Sequence, residues 1–547
     1  MATISLSGLA TGIDTSTIIS QLVAVARQPM QNLQARQAVI QTQNTDLKTL
    51  GTRIDAVKTA LQDIRYAADL RAFTVTSSDD GAVTALASSG ATEGTHEVLV
   101  DRLATAERMV HTAGLPNATD SVGRGTFVYT YGGQTRTIQT TDTTTLEGLR
   151  DLINNDGANP GVDASILECD VNGSPACHLV LGGASTGTAY AITIDDQATT
   201  LEAFRSGGFT VTQQAQNSRI RVDGYPTDTW MERSSNTLTD VIPGVTLQLH
   251  SKTAADSPVS VSVSRDTASL KRKLDDFVAA YNSAVTYAHS KTSYDQATKT
   301  AGSLLGEYAV TNVLYQLRAP LVQRAVGFQD QGDAYSLAGQ IGLSLDKTGQ
   351  LSVDDATFDK AVADNYQAVL SLLGASATGA SNSDNLRFYG AREATDPGVY
   401  DVKATFTDGA LTSALIKKST ENQSAWRSAD IDGNLIIGAA GNPEQNLQVT
   451  GSYAGTGTLQ AQVRVRQGIC GTLYDTIDQT LGKTLETTGK RQTSEIDLLQ
   501  RSIDNEQDRV NRTEQDLISQ YARLEAILAQ IKGQQDAVTA ILYGNTQ

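Results

Sequence analysis

Apolar residues recur every seven positions near both ends of the chain. The N-terminal set comprises Leu33, Ile40, Leu47, Ile54 and Leu61, with Leu50, Val57 and Ile64 on a second track three residues later. The C-terminal set comprises Ile496, Ile503, Val510, Leu517, Leu524, Ile531 and Val538. Two apolar tracks offset by three residues are typical of a coiled-coil seam, and the intervening positions are mostly polar. The pattern therefore predicts a long amphipathic helix at each end.

A stripe this narrow cannot be buried by one helix alone. The two terminal helices are therefore expected to pack on each other or on copies of themselves. The alternative is a helix pair inside one globular domain, which explains most stretches of this length. The positions favour the first interpretation, because hundreds of residues separate the two seams and the chain must return to close a stalk.

The first thirty residues follow a different pattern. The stretch 7–15 mixes Gly with small polar residues and predicts irregular backbone, after which Asp14 can cap a helix through Ile18, Leu22 and Val25. We expect Pro29 to interrupt or kink this helix. An apolar segment without a fixed internal partner becomes ordered when it docks.

Period-two alternation begins near Phe73 and predicts short strands with Gly, Asn and Asp turns through residue 263, apart from one helix at 146–153. Helical periodicity returns after Arg265, with Asp266 or Thr267 as the cap. Residues 343–353 predict a hairpin; a calcium loop is the alternative, but its twelfth-position carboxylate is missing. A second β-like block covers 388–465.

Length and charge narrow the functional classes. The 547 residues correspond to about three or four domains at roughly 150 residues each. Lys and Arg number 43 against 60 Asp and Glu, a net charge of −17, which disfavours nucleic acid as a partner. No stretch approaches the ~20 apolar residues of a membrane span, and the N-terminus lacks the features of a cleavable signal peptide.

The chain offers few metal-binding or catalytic signatures. Its five His residues are scattered singly and its three Cys residues form no Cys-x-x-Cys pair, so we expect no metal and no cofactor. Asn172 and Gly173 predict a hairpin turn that places Cys169 and Cys177 either opposite each other as a disulfide or as two unlinked residues on neighbouring strands.

Several motifs occur in a fixed order along the chain. At the N-terminus they are Ser7-Gly8-Leu9, Gly12-Ile13-Asp14-Thr15 and Ile18-Ile19-Ser20-Gln21-Leu22. The most specific block is 215–224 with 234–247, followed by 263–266, 277–282 and 343–352. Together these motifs resemble the bacterial flagellar filament cap family, also called flagellar hook-associated protein 2, whose C-terminal region residues 343–352 match. The stretch 145–189 is similar to the flagellin IN motif.

The resemblance implies a multidomain α+β fold, in which the terminal helices form a coiled-coil leg and a helical domain and β-rich head domains are inserted. The implied leg is 1–44 with 500–547, and the helical domain is 45–75 with 265–387 and 466–499. The first head is 76–105 with 214–264, the second head, containing the IN-like motif, is 106–213, and 388–465 is an extra β-rich insertion.

The resemblance further implies a structural, non-enzymatic role as the cap at the distal end of the flagellar filament. Subunits would form a plate, with five copies suggested by the family, that retains exported flagellin and promotes its folding and insertion. Implied partners are further copies, flagellin, hook-filament junction proteins and an export chaperone. The implied location is extracellular, reached by type III export without a cleavable signal peptide.

On this hypothesis, the heptad residues serve leg packing or docking. They are Leu47, Leu50, Ile54, Val57, Leu61 and Ile64, with Val510, Leu517, Leu524, Ile531 and Val538 opposite. A second set, Leu6, Leu9, Ile13 and Leu22, serves docking of the terminus. Ordinary packing within the chain is the alternative for several of them.

Two other functional classes stay open at this stage. One is another flagellar axial protein, either a hook-filament junction protein or a flagellin. The other is a head that binds a receptor or hydrolyses a substrate, for which Asp79, Asp80 and Asp101 are the acidic candidates, although their surroundings are typical of solvated turns. With 29 aromatic residues in all, no dense aromatic binding platform is evident.

Overall fold

The computed structural model describes residues 14–171 and 174–543. The chain divides into two compact units, one formed by residues 1–70 with 271–547 and the other by 71–270. The second unit is thus an insertion between the two halves of the first.

Eight helices occur within the described residues, and the first and last are by far the longest. They are α1 Thr15–Gln62, α2 Ala67–Leu70, α3 Leu146–Asn154, α4 Thr267–Thr292, α5 Tyr308–Val322, α6 Asp355–Gly374, α7 Ile469–Thr476 and α8 Gly482–Tyr543. A π-helical turn, Ile477–Leu481, joins α7 to α8. At 1.5 Å per residue, α1 is about 70 Å long and α8 about 90 Å.

Helix α1 begins after Asp14, as predicted, but it is not interrupted at Pro29. The carboxylate of Asp14 accepts a hydrogen bond from the backbone N–H of Thr17, at 3.1 Å. Hydrogen bonds from Ser16 and Thr17 lower the pKa of Asp14 to about 2. The helix runs through Pro29 without interruption, so the predicted interruption is wrong, while the alternative, a kink at Pro29, stays a prediction. One missing N–H removes a single bond from a helix of 48 residues, and neighbouring turns maintain it.

The inserted unit contains fifteen strands among its described residues. They are β1 Phe73–Ser77, β2 Val83–Ala87, β3 Gly94–Arg102, β4 Arg108–His111, β5 Gly125–Tyr131, β6 Gln134–Thr140, β7 Val162–Val171, β8 Ser174–Gly183, β9 Thr193–Ile194, β10 Phe209–Gln213, β11 Ser218–Val222, β12 Met231–Arg233, β13 Thr237–Ile242, β14 Val245–Leu249 and β15 Val259–Arg265.

Strands from both ends of the inserted unit build the first head. One sheet has the order β1-β15-β3-β11-β12 and the other the order β13-β14-β2. Their facing residues, such as Val98, Leu247 and Val261, form one apolar core. The alternation of buried Val and more accessible Ser along β15 follows the sequence pattern, as expected for a strand with one buried face.

The second head combines two small sheets with helix α3. Its sheets have the orders β10-β4-β8-β7 and β6-β5-β9. One face of α3 packs into the apolar core of this head through Leu146, Leu149 and Ile153. At the edge of this core, the buried Glu107 accepts a hydrogen bond from the backbone N–H of Ile192, at 3.0 Å, and burial raises the pKa of its carboxyl group.

The predicted hairpin of the second head is present as β7 and β8, and its register separates the two cysteines. Glu168 lies opposite Cys177, and Cys169 lies opposite Ala176. This one-residue offset puts the cysteines on opposite faces of the hairpin, because successive side chains point to opposite sides. Both are free thiols, with Cys169 exposed and Cys177 buried.

The other thirteen strands found among the described residues belong to the unit that contains both chain ends. They are β16 Tyr294–Asp295, β17 Thr300–Ala301, β18 Leu343–Leu345, β19 Leu351–Val353, β20 Thr378–Ser381, β21 Leu386–Gly390, β22 Gly398–Thr407, β23 Ala410–Lys418, β24 Arg427–Ser428, β25 Asp430–Asp432, β26 Leu435–Ile437, β27 Gln448–Gly451 and β28 Gly457–Arg466.

Strands β18 and β19 form the hairpin predicted for residues 343–353. The carboxylate of Asp346 accepts hydrogen bonds from the backbone N–H groups of Thr348 and Gln350, at 2.8 and 2.9 Å. Asp346 therefore organises the turn itself, as Asp commonly does in turns of this kind.

The extra β-rich block is a two-sheet structure that includes residues 388–465. Its sheets have the orders β20-β28-β22-β23-β24 and β21-β27-β26-β25, and an apolar core lies between them. The buried carboxylate of Asp333, in the connection between α5 and α6, binds Arg464 and Arg466 of β28. This cluster fixes the last strand of the block to the helical part of the same unit.

Candidate assembly surface on the terminal helices

The two terminal helices lie side by side and antiparallel. Thr15 of α1 donates a hydrogen bond to Glu525 of α8, at 2.7 Å, whereas Arg36 pairs with Glu495 at 2.7 Å. Further along α1, Lys58 pairs with Asp478 of the π-helical turn at 2.6 Å. As residue numbers increase along α1, the residues they contact on α8 and the π-helical turn have decreasing numbers, and this holds over almost the whole of α1.

The half of the pair near residues 47–64 is a closed apolar core. Leu47, Leu50, Ile54, Val57, Leu61 and Ile64 are all buried. Ile64 lies just beyond the end of α1, which Asp63 terminates, and so extends the seam without being helical. On α8, Leu485 is buried in this half, whereas Leu499, Ile503 and Val510 are buried further along, opposite the first half of α1.

A polar contact holds this half of α1 against α4. Burial tends to raise the pKa of Asp46, but hydrogen bonds from Ser303 and Tyr287 hold the pKa below its usual value. The Tyr287 hydroxyl donates to Asp46 at 2.8 Å, and the Lys291 ammonium lies 3.1 Å from the same carboxylate. The charged form of Asp46 is thus fully satisfied, and it fixes one side of α1.

Beyond Val510 the same seven-residue track becomes exposed. Leu517 is half-buried, whereas Leu524, Ile531 and Val538 are 46, 52 and 54% exposed. Ile527 is exposed beside them, whereas Ile518 is exposed on another face of α8. We call this set the outer α8 stripe; it comprises Leu517, Leu524, Ile527, Ile531 and Val538. Ile527 is not among the residues predicted from the sequence, although its position next to the seam could have indicated a wider apolar face.

The outer α8 stripe extends past the last contact that the described part of α1 makes with it. Thr15 contacts Glu525, and α8 continues to Tyr543, about 27 Å further at 1.5 Å per residue. On α1, Leu22 and Val25 are also exposed. Of the expected docking residues, Leu22 therefore lies at the surface, while Leu6, Leu9 and Ile13 lie outside the described residues.

A groove of about 680 Å³ lies between α1 and α8 beside the closed apolar core. Gly51 on one helix and Gly489 on the other keep the groove wide, and Leu47, Ile54 and Leu485 lie at its base. These three residues are themselves buried, so the outer α8 stripe is the more exposed apolar surface of the pair.

The acidic residues considered as catalytic candidates have ordinary structural contacts. Asp79 accepts a hydrogen bond from the backbone N–H of Gly81 in a turn, and Asp101 pairs with Lys252 at 3.3 Å. Across residues 14–171 and 174–543, no group of three His, Cys, Asp or Glu side chains has an arrangement suited to a metal ion. None of the helices in that part of the chain is long and apolar enough to span a membrane.

Comparison with known proteins gives a consistent result along most of the chain. A family model described as the C-terminus of flagellar hook-associated protein 2 matches residues 215–533, and the model of its N-terminus matches residues 11–107. The B-type flagellar hook-associated protein 2 of Pseudomonas aeruginosa is 29% identical over 60% of this chain and 72% of its own length. The A-type protein of that species is 26% identical over 67% of this chain and 80% of its own.

One solved structure extends the likeness to the fold. It is the crystal structure of the D1-D2-D3 domains of the flagellar cap protein FliD from Escherichia coli, with a TM-score of 0.52 and 26% identity. The match covers 60% of this chain and 90% of that chain.

Proposed function

Since the chain belongs to the flagellar hook-associated protein 2 family, we propose that it is the cap at the distal end of the bacterial flagellar filament. In this proposal it acts outside the cell as a structural protein without catalytic activity. Copies of the chain, five on the family precedent, form a plate that retains exported flagellin and promotes its folding and insertion. Hook-filament junction proteins and an export chaperone are the further proposed partners.

The outer α8 stripe is the observation that carries this proposal. Although α8 packs on α1, Leu524, Ile531 and Val538 of α8 are about half exposed. Contiguous exposed apolar surface on a soluble protein marks an interaction site. Amphipathic helices bind partners through apolar residues at such spacing, so the stripe is suited to dock on the helices of filament subunits.

The inner heptad residues have a different role in the proposal. Leu47, Leu50, Ile54, Val57, Leu61, Ile64 and Val510 close the core of the leg within one chain. Leu517, Leu524, Ile531 and Val538 dock on neighbours. Leu6, Leu9, Ile13 and Leu22 complete the docking surface at the end of the leg.

Gene replacement tests the proposal in the organism that carries this chain. Deletion is expected to release unpolymerised flagellin into the medium and to abolish swimming. The Leu524→Gln, Ile531→Gln double variant should be secreted but should retain flagellin poorly, because two buried contacts to the filament are lost. Ala526→Gln is the matched control, since it introduces the same side chain on the other side of the same helix.

Two outcomes would contradict the proposal. One is normal filaments in the deletion strain. The other is a fluorescently labelled chain that lies at the hook-filament junction or along the filament instead of at its tip, which would favour another axial role. A hydrolase screen of the purified chain tests the non-enzymatic part, and turnover abolished by a single Asp substitution would overturn it.

A further inference from the structure

A groove runs along one edge of the second head, between strand β6 and helix α3. Its volume is about 650 Å³. Arg136, Thr137, Ile138 and Gln139 of β6 form one wall, and the other wall includes Gly148 and Leu152 of α3. We call this site the β6 groove.

The strand wall of the β6 groove carries unused backbone hydrogen-bonding groups. Strand β6 is the edge of the order β6-β5-β9. Tyr131 and Gln134 flank the two-residue turn at Gly132 and Gly133, both of which have positive φ, and they therefore form a hydrogen-bonded pair. Alternation then makes Thr130 and Thr135 a non-hydrogen-bonded pair, consistent with their hydroxyl contact at 2.8 Å.

The same alternation gives the direction of every backbone group on β6. The N–H and C=O groups of Thr135, Thr137 and Gln139 point away from β5. Within the described part of the chain, none of these groups makes a hydrogen bond to another backbone group or to a side chain. Three successive outward positions give an edge long enough to pair with a strand of about five to seven residues.

The edge lacks most of the features that usually prevent strand pairing. Natural edges are protected by charged side chains, above all Lys, by Pro, by bulges or by a covering element. Strand β6 has neither Lys nor Pro, its one charged residue, Arg136, is paired with Asp156, and its pairing with β5 is unbroken by a bulge. By contrast, β10, an edge strand of the other sheet, has a bulge between Val211 and Gln213. The β6 edge is therefore open to strand addition.

Helix α3 supplies the wall on which side chains of an added strand would pack. Gly148, Leu152 and Asn155 follow one another on a single face of α3 and line the groove. Leu152 is 42% exposed, although the opposite face of α3 is fully buried. A Cβ at Gly148 would meet only Thr144 and Thr145 of its own turn, so this part of the groove is open.

The charges in the β6 groove are already paired with one another. Arg136 binds Asp156 through two hydrogen bonds of 2.7 Å, and this contact lowers the pKa of Asp156. Asp151 is paired with Arg150 at 2.8 Å. The remaining lining is mostly Thr with apolar Ile138 and Leu152. The groove therefore complements an uncharged segment and offers no excess charge to an ionic one.

We propose that the β6 groove binds an extended, uncharged peptide segment of another protein, which adds as a strand to β6 and packs alternate side chains on α3. Backbone hydrogen bonds to Thr135, Thr137 and Gln139 give the affinity, and Leu152 selects small or branched apolar side chains. This inference stands independently of the proposed function, because it rests only on the second head.

A defined peptide tests the proposal with the full chain. The probe is a blocked heptapeptide of alternating Thr and Val, joined through a Gly-Ser linker to a fluorophore, and binding is followed by fluorescence anisotropy. Saturable binding is expected. The same peptide N-methylated at two adjacent central positions should not bind, because both of its edges are then blocked. This control needs no change in the protein.

Two variants locate the binding site. Thr137→Pro removes an outward N–H, but no bond to β5, because Thr137 and Val128 form a non-hydrogen-bonded pair. It should weaken peptide binding about tenfold, as expected for the loss of one or two hydrogen bonds. Thr137→Val is the matched control and should bind as the wild type does. Leu152→Gln should weaken binding from the other wall.

Three results would overturn the proposal. The first is the absence of saturable binding of the heptapeptide to the wild type. The second is equal binding to the wild type and to Thr137→Pro, with circular dichroism showing both folded. The third is a smaller oligomer for Thr137→Pro in light scattering without peptide, since a second copy of this chain would then be the occupant of the edge.

Discussion

Replacing Leu50 by Ala is expected to lower the free energy of opening of the paired terminal helices far more than the same replacement at Leu524 does. Leu50 is 1% exposed, whereas Leu524 is 46% exposed on the outer α8 stripe. Burying a Leu side chain stabilises a fold by about 1.5–3 kcal/mol, and a Leu→Ala change in a core costs about 2–5 kcal/mol once the cavity is included. We take about 3 kcal/mol for Leu50→Ala and less than about 1 kcal/mol for Leu524→Ala.

Amide hydrogen exchange along α1 and α8 measures this difference locally, which suits a chain of several domains without a single unfolding transition. A loss of about 3 kcal/mol should speed exchange of the protected α1 amides around residue 50 by about a hundredfold, since 1.4 kcal/mol is a factor of ten. Leu524→Ala should change the same amides less than about fivefold. Equal effects of the two substitutions would refute the division of the heptad track into a closed core and an open stripe.

Three further predictions concern other parts of the chain. Asp333→Ala should destabilise the unit that contains the chain ends by about 3 kcal/mol, because the buried Arg464 and the half-buried Arg466 lose their carboxylate. Hydrogen exchange in β28 should rise accordingly, and unchanged exchange would contradict this. Glu107→Gln should raise the melting temperature of the inserted unit at pH 7 but not at pH 4: the folded pKa lies above the usual 4.5, so the carboxyl group stabilises the fold only while protonated and this contribution is lost as the pH rises. An equal gain at both pH values would contradict that reasoning. A thiol reagent should label Cys169 rapidly, Cys177 slowly and Cys470 only on unfolding, since burial raises the pKa of Cys470 to about 12, and mass spectrometry of the labelled sites checks the order.

The terminal helices could be predicted from the sequence because their apolar period persists through many turns. The same period runs through buried Leu50 and exposed Leu524, so the pattern alone could not separate the core from the stripe. That separation depends on where the partner helix ends, and in the described residues α1 reaches only to Glu525 of α8. Pro29 illustrates a related limit, since local propensity predicts a break that a long, packed helix overrides.

The heads show which features of a β structure the sequence can predict. Alternation identified most strands, and the turn residues identified the β7 and β8 hairpin, but the alternation of faces that separates Cys169 from Cys177 required the register. The β6 groove could not be predicted, because it depends on the order of strands in the sheet and on the placement of α3. Neither property is encoded in a local pattern.

We propose that the outer α8 stripe docks on neighbouring subunits, and a photo-crosslinking amino acid at position 524 tests this in cells with intact flagella. The same amino acid in place of Ala526 is the control on the other side of α8. Crosslinks are expected from position 524 to filament subunits or to further copies of the chain, with few from position 526. If position 524 crosslinks only within its own chain, the stripe is not a docking surface.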